Sequence, residues 1–503
     1  MELSSLQPVF FFFLLPLFFF LFFYQNPAKK RNSTKLKTYP LLGNLPQYLQ
    51  NRHRFLEWST EILIKAPTYT VTLQSPGQVS GVITANTLNV EHMLKTNFVN
   101  YPRGERSIAM LEDFLGQGIF NSDGEHWKWQ RKAASYEFNK KSLRNFVVDM
   151  CSMRLVKRLL PLLKKASKKN EIVNLQDVLE RFAFDNICKV AFNEDPACLA
   201  EERSSDMVSS DFMKAFEEAQ NIVVGRFLDA LKVTWRIKKL LNIGSERRLK
   251  QLISIVHNYS MNIIRSRRER PLDQYNDLLS RFASNKDNTE EFLRDVVTNF
   301  LIAGRETTSS ALTWFFWLLS TRPDVEKKIL EEVRSVQALN QNSNETFSFD
   351  ELREMHYLHA AISESMRLYP PVPIDTQSCK EDDTMPDRTF VGKGWSVTYS
   401  AYAMGRMEHI WGKDCNDYKP ERWLENGVFQ PENPFKYPVF HAGPRMCLGK
   451  EMAYIQMKSI VACVLERFEI NVVGKDKSPE HILSVTLRMK GGLPIQVKER
   501  ELM

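Results

Sequence analysis

Phe440-His441-Ala442-Gly443-Pro444-Arg445-Met446-Cys447-Leu448-Gly449 sets one cysteine directly before a helical pattern that runs from Leu448 to Leu465. A thiol there gains unpaired backbone N–H donors and positive potential from the helix start, and both favour the thiolate. A thiolate is a soft ligand for a redox-active metal, onto which it pushes electron density. Gly443 and Gly449 let the backbone turn tightly and approach a neighbouring group closely. The other six cysteines (Cys151, Cys188, Cys198, Cys379, Cys415 and Cys463) are widely spaced and form no CxxC pair. An odd total of seven argues against a disulfide framework or a structural zinc site. They read as small buried apolar residues in a reducing compartment.

Three further constellations stand in order along the chain. Glu364-x-x-Arg367 precedes Leu368-Tyr369-Pro370-Pro371, and Pro420-Glu421-Arg422-Trp423 lies between it and the cysteine. Other E-x-x-R pairs, Glu291/Arg294 and Glu331/Arg334, read as solvated helix pairs, so position is what singles out Glu364. Trp127 and Arg131 stand one helical turn apart. Ala303-Gly304-Arg305-Glu306-Thr307-Thr308 interrupts a long apolar helix pattern, Phe292 to Leu319, whose charged middle argues for a buried core helix over a membrane span. Phe300, Ala303, Thr307 and Ala311 share one face of it. Thr307 can hold a water and Glu306 can feed a proton; Gly304 permits a local widening of the helix. The plainer alternative is a packing stretch with a threonine bonded back to its own helix.

Together these motifs resemble the cytochrome P-450 superfamily of haem-thiolate monooxygenases, whose signature F-x-x-G-x-R-x-C-x-G is matched at every fixed position. The resemblance implies a mainly α fold with small β-sheets. It implies haem b with Cys447 as the axial iron ligand, and Trp127, Arg131 and Arg445 at the haem propionates. Glu364, Arg367 and Arg422 become a buried structural triad; Glu306 and Thr307 become the residues of oxygen activation. No G-x-G-x-x-G follows a strand and no flavin pattern appears, so electrons are expected from NADPH through a separate haemoprotein reductase. Lys128, Arg131, Lys132, Lys140, Lys141, Arg144, Lys436 and Lys450 are its expected docking surface.

Near-contiguous resemblance through Gly116–Asn121, Ala401–Arg406 and Phe440–Lys458 points to the plant fatty-acid hydroxylase clan, in the branch that oxidises chain ends. The expected reaction is hydroxylation of the terminal (omega) or near-terminal carbon of a fatty acid. A steroid side chain or a jasmonoyl–amino acid conjugate is the alternative substrate. A hydroperoxide-rearranging haem enzyme is remote, because the distal threonine and the cysteine loop are intact. Expected pocket residues are Phe114, Phe120, Phe300, Ala303, Val372, Ile374 and Val485, with Arg103 and Arg106 toward a substrate carboxylate. Ala303 stands where animal omega-hydroxylases carry a glutamate that ester-links the haem, so a covalent haem is not expected.

These residues need a scaffold, and 503 residues with 43% hydrophobic content supply one large core. The net charge of +8 is spread along the chain without stacking aromatics or finger spacing, which argues against nucleic acid. Leu6 to Tyr24 is an uncharged apolar run of roughly 29 Å as a helix, enough to cross a bilayer. Lys29, Lys30, Arg31, Lys35 and Lys37 follow it and place the remainder in the cytosol. The expectation is therefore an N-terminal transmembrane anchor (1–28), a basic, proline-containing linker (29–46) and a catalytic domain (47–503). That domain would sit on the cytosolic side of the endoplasmic reticulum membrane, with the sequons at Asn32, Asn258 and Asn344 unglycosylated. Thr68–Leu73 and Gly81–Thr84 read as strands, Leu88–Glu332 as mainly helical, and Asp375–Thr398 as short strands. Ile482–Met489 and Leu493–Val497 read as a hairpin about Gly491-Gly492.

Overall fold

A computed structural model describes residues 36–39, 42–75, 78–200, 207–229, 233–268, 277–339 and 346–501. The expected anchor, half of the basic linker, and Asn32 and Asn344 lie outside the described residues. Among the described residues no helix is long and apolar enough to cross a membrane. Contacts divide the chain into Met1–Leu36 and Lys37–Met503, and the account below concerns the second unit.

The helices that build the site are labelled in chain order: α1 (Glu105–Leu115), α2 (Gly124–Ser135), α3 (Leu175–Phe192), α4 (Met207–Phe227), α5 (Thr234–Leu241), α6 (Gly244–Arg268), α7 (Glu290–Ser320), α8 (His356–Leu368) and α9 (Lys450–Arg467). α7 is the axis of the fold. The Thr289 hydroxyl caps it by accepting from Phe292 N at 3.2 Å, with Glu290 and Glu291 in the first turn, both favourable at a helix start. It ends before Pro323, where continuation would clash. It is buried nearly all round, as a helix in the middle of a large core must be.

Two hydrophobic clusters meet along α7. Leu293 to Ile302 pack with α4 and α6 through residues such as Phe216 and Val256. Ala311 to Leu319 pack with α8 and α9 through Ile362, Met366 and Val461. Residues 303–310 fall between the clusters, so the charged Ala303–Thr308 segment occupies the seam where two cores join.

The largest sheet is four-stranded. Thr70–Ser75 pairs antiparallel with Gln78–Thr84, which runs parallel to Ser396–Tyr399, itself antiparallel to Asp375–Ser378. The expected strands at both ends of the chain are present, but the expected C-terminal hairpin is not. His481–Leu483 pairs with Leu487–Met489, whereas Pro494–Glu499 pairs with Phe468–Val472 and Ile172–Asn174. Gly491 and Gly492 hold φ near +80°, but they steer the chain from one sheet to another. There Asn174 accepts from Leu493 N, and Leu493 O accepts from Leu175 N at 2.8 Å. Local turn chemistry was read correctly; the partner of the departing strand was not.

Candidate functional site

The cysteine loop is a backbone device. Cys447 N donates to Phe440 O at 2.8 Å and Met446 N to Gly443 O at 3.0 Å. Gly443 has φ +65°, and a Cβ there would stand 1.9 Å from Leu94 O. No other residue type fits this turn. The described cysteines form no disulfide; five are buried and Cys447 is exposed. Burial of its surroundings pushes the Cys447 thiol up, while the Gly449 N–H, Arg131 and Lys450 pull it down. Burial prevails and the net shift is upward; the N–H and the two cations are the contacts a metal-bound thiolate can use.

Beside the loop lies an excess of positive charge. Arg445 stacks on Trp127 (4.3 Å) and Arg131 lies 5.9 Å from the same ring. Arg131 Nη2 donates to Met446 O at 2.5 Å, tying α2 to the loop. Arg445 pairs with Asp123 at 2.5 Å and Arg103 with Asp375 at 2.6 Å; His441 Nε2 lies 3.2 Å from Asp375. Burial and then Arg103 push the Arg445 pKa down to about 10. Although burial alone would raise Asp375, Arg103 and then His441 hold it well below the carboxylate range. Nε of Arg103 and of Arg445 are buried without a hydrogen-bond partner among the described residues. Three guanidiniums against two carboxylates, with two orphaned donors, suit a ligand that brings acidic groups next to a thiolate. Haem b, with an iron and two propionates, fits that donor set.

Behind the loop the charges are fully matched. Glu364 and Arg367 have no exposed side-chain surface. Arg367 Nε and Nη2 donate to Glu364 at 2.7 and 2.8 Å, and Arg422 Nε, Trp423 Nε1 and Lys419 N reach the same carboxylate. Arg367 also caps the Cys415 and Asp417 carbonyls, at 2.6 and 3.0 Å. Arg422 Nη1 donates to the Asp414 carboxylate at 3.1 Å and Nη2 to the Asp414 carbonyl at 3.0 Å. A buried charge network persists only when every member is satisfied.

On α7, Thr307 Oγ1 donates back to Ala303 O at 2.7 Å. The helix is α throughout, and Gly304 serves close packing instead of widening it: a Cβ there would meet the Ile187 side chain at 2.4 Å. Glu306 is 2% exposed and pairs with Arg305 at 2.7 Å, and Gln220 Nε2 donates to it at 3.4 Å. Arg305 reaches Glu180 at 3.2 Å, and Arg488 joins Glu180 at 2.7 Å and also pairs with Glu217. Burial, and then the charge of Glu306, pushes Glu180 up to about 7. Of the residues named here, Glu180, Gln220 and Arg488 carried no signal in the sequence; they come from α3, α4 and the C-terminal strands.

One backbone node ties the C-terminal strands to α7 and to the chain after α8. Leu487 O accepts from Ser310 Oγ (2.7 Å) and Trp314 Nε1 (2.9 Å), while Leu487 N donates to Pro371 O (2.8 Å). Val485 packs against the cluster that holds Phe300, and Ile374 against the cluster that holds Ala311. Phe114 is 1% exposed and packs edge-on against Phe216, whereas Phe120 is 38% exposed. Phe300 is buried in the α4–α6 cluster. Arg103 is committed to Asp375; Arg106 is half-buried, and burial and nearby Arg236 lower its pKa. In the expected docking stretch Lys128, Arg144 and Lys436 already carry carboxylate partners.

The cytochrome P450 profile matches residues 34–495. The chain belongs to the cytochrome P450 family. It is 51% identical over 460 residues to "Cytochrome P450 CYP94D108" of Paris polyphylla (91% of each chain), and 43% identical over 476 residues to "Cytochrome P450 94A1" of Vicia sativa (92% of this chain, 90% of that one). It is 43% identical over 486 residues to "Cytochrome P450 94B1" of Arabidopsis thaliana (94% and 93%), so it groups with the plant 94 branch. It is a haem-thiolate monooxygenase, with electrons from a redox partner and a hydrophobic substrate. The bound haem supplies the iron at which dioxygen is reduced. With haem bound, Cys447 would hold the iron, and Trp127, Arg131 and Arg445 would meet its carboxylates. Thr307 gives its hydroxyl proton to Ala303 O, so its free lone pairs could accept from a water.

Proposed function

We propose that this P450 hydroxylates the terminal or near-terminal carbon of fatty acids, supplied by an NADPH–haemoprotein reductase and anchored in the endoplasmic reticulum membrane by its N-terminal segment. The observation that carries the substrate reading is the apolar stretch of α7 just before Ala303: Phe300 is buried in one cluster with Phe114 and Phe216, Val485 packs against that cluster, and the Phe120 amide is bonded to Asn299. Phe120 and Val372, large apolar side chains, stay 38% and 37% exposed, while Arg305, Glu306 and Glu180 are engaged with one another. A terminal C–H bond is stronger than an internal one, so attack at a chain end requires positioning over intrinsic reactivity. Microsomes holding this protein and a reductase, given lauric or oleic acid, should yield the terminal or adjacent alcohol by mass spectrometry. Phe120→Ala or Phe300→Ala should move the hydroxyl inward. Mid-chain products from wild type would overturn the reading. No turnover of any fatty acid would favour a steroid or hormone-conjugate substrate.

The membrane reading has support from α5. Ile237, Leu240 and Leu241 are 54%, 85% and 58% exposed, flanked by exposed Val233 and Ile243 and accompanied by Lys238 and Lys239. Tyr48 Oη donates to Leu228 O at 2.6 Å, which sets the segment after the apolar N-terminal run close to the chain leading into α5. An exposed apolar helix face with lysines suits an anionic membrane interface. Removing residues 1–28 should release much of the protein from membranes and keep its haem. Full retention after carbonate washing would assign the attachment to other surfaces.

A further inference from the structure

The segment Leu115–Asn121 joins α1 to α2 and lies flush against α7. Gln117 N donates to Asp295 Oδ2 at 3.0 Å, and Phe120 N donates to Asn299 Oδ1 at 3.0 Å. Asn299 Nδ2 returns a bond to Leu115 O at 2.8 Å. Asp295 and Asn299 are one helical turn apart and so share a face of α7. The approach leaves no room for side chains on the loop. A Cβ at Gly116 would stand 1.9 Å from Asp295 Oδ2, and one at Gly118 2.0 Å from Asn299 Nδ2.

Two different sets of bonds act on this loop. Its internal shape is fixed without α7: Asn121 Nδ2 donates to Gly116 O (2.8 Å), and Gln130 Nε2 donates to Gln117 O (2.9 Å). Its seat on α7 runs through Asp295 and Asn299. Loss of the second set therefore lets the loop shift as a unit, and Phe120 travels with it. Buried, unpaired polar groups inside α7 would be costly, so a polar pair in an otherwise apolar stretch of helix must have partners. The partners here are loop amides.

We infer that Asp295 and Asn299 are positioning residues that set which carbon of the substrate is oxidised, by clamping the Leu115–Asn121 loop and its Phe120 onto α7. The inference rests on the chain-end reading above for its choice of probe substrate. The first measurement is amide hydrogen exchange on the haem-loaded enzyme. In Asn299→Ala and Asp295→Ala the amides of Phe120 and Gln117 should exchange at least about tenfold faster. Asp295→Asn, which keeps an acceptor for Gln117 N, should stay near wild type. The second is the position of the hydroxyl on lauric acid, at matched intensity of the thiolate–carbon monoxide band. The terminal share of products should fall several-fold in Asn299→Ala and in Gly118→Ala, and the double variant should fall no further, since both break one contact.

Faster exchange with unchanged product position would overturn the inference, as would unchanged exchange. Additive loss in the double variant would also overturn it. If Asn299→Ala fails to bind haem, Gly118→Ala is read in its place by the same exchange and product measurements, since its Cβ must displace the Asn299 amide. If wild type oxidises fatty acids in mid-chain or not at all, the terminal reading falls. The clamp is then judged by whether the variants scramble products of the substrate that is turned over.

Discussion

The two sides of α7 are built on opposite plans. On the cysteine side, Glu364 accepts from Arg367, Arg422, Trp423 and Lys419, and each charge in that knot is answered. On the oxygen side, Glu306 and Glu180 share Arg305, Arg488 reaches out to Glu217, and burial leaves Glu180 easy to protonate near neutral pH. One side is a closed knot of matched charges; the other keeps a buried carboxyl, Glu180, pushed up to about 7. Stability belongs to the first and proton chemistry to the second.

The largest effect expected from breaking this contrast is at the thiolate itself. Cys447→Ser should abolish the red-shifted Soret band of the reduced carbon monoxide complex and all monooxygenation, because serine is not a thiolate donor. A folded variant that keeps the band would refute the ligand assignment. Next is the knot behind it. Glu364→Ala strands two buried guanidiniums, a loss of about 3 to 5 kcal/mol. It should appear as poor haem retention and a lowered thermal midpoint, and a variant as stable as wild type would mean that the knot is dispensable.

The cysteine side was legible in the sequence because its members sit in short motifs, such as Glu364 with Arg367 and Arg422 with Trp423. Helix periodicity placed α7 and α9 to within a few residues. What escaped are partnerships across long stretches of chain. Arg103 with Asp375, Phe120 with Asn299 and Glu180 with Arg488 join residues whose types alone announce nothing. Two signals were readable in hindsight: glycines two apart at 116 and 118, and Asp295 with Asn299 in an apolar helix. The misread hairpin has the same cause. Gly491-Gly492 declares a turn, but only the sheet decides which strand follows.

The oxygen side can be tested through pH. Glu180 titrates near 7 when folded, above its ordinary 4.5. The stability it contributes is therefore complete below 4.5 and is lost as pH rises through about 7. Glu180→Gln mimics the protonated form and removes this dependence. Between pH 5 and 8 the variant should gain on wild type by on the order of 2 kcal/mol, read from thermal midpoints. Parallel curves would show that the arginines fully compensate the carboxylate.

The smallest effect, and the most specific, concerns Thr307. Its hydroxyl proton is spent on Ala303 O at 2.7 Å, so the side chain faces the site as an acceptor only. A water that donates to it would be held with its second proton free for delivery. Thr307→Ala removes the acceptor, leaves the helix intact, and should lower product formed per NADPH about five-fold, or ~1 kcal/mol. NADPH oxidation should change little, with hydrogen peroxide making up the difference. Thr307→Ser, which keeps the acceptor, should restore most of the coupling. Equal loss of both rates, or none, would mean that the bond to Ala303 is all Thr307 does, and that the oxygen side orders its water by Glu306 and its partners alone.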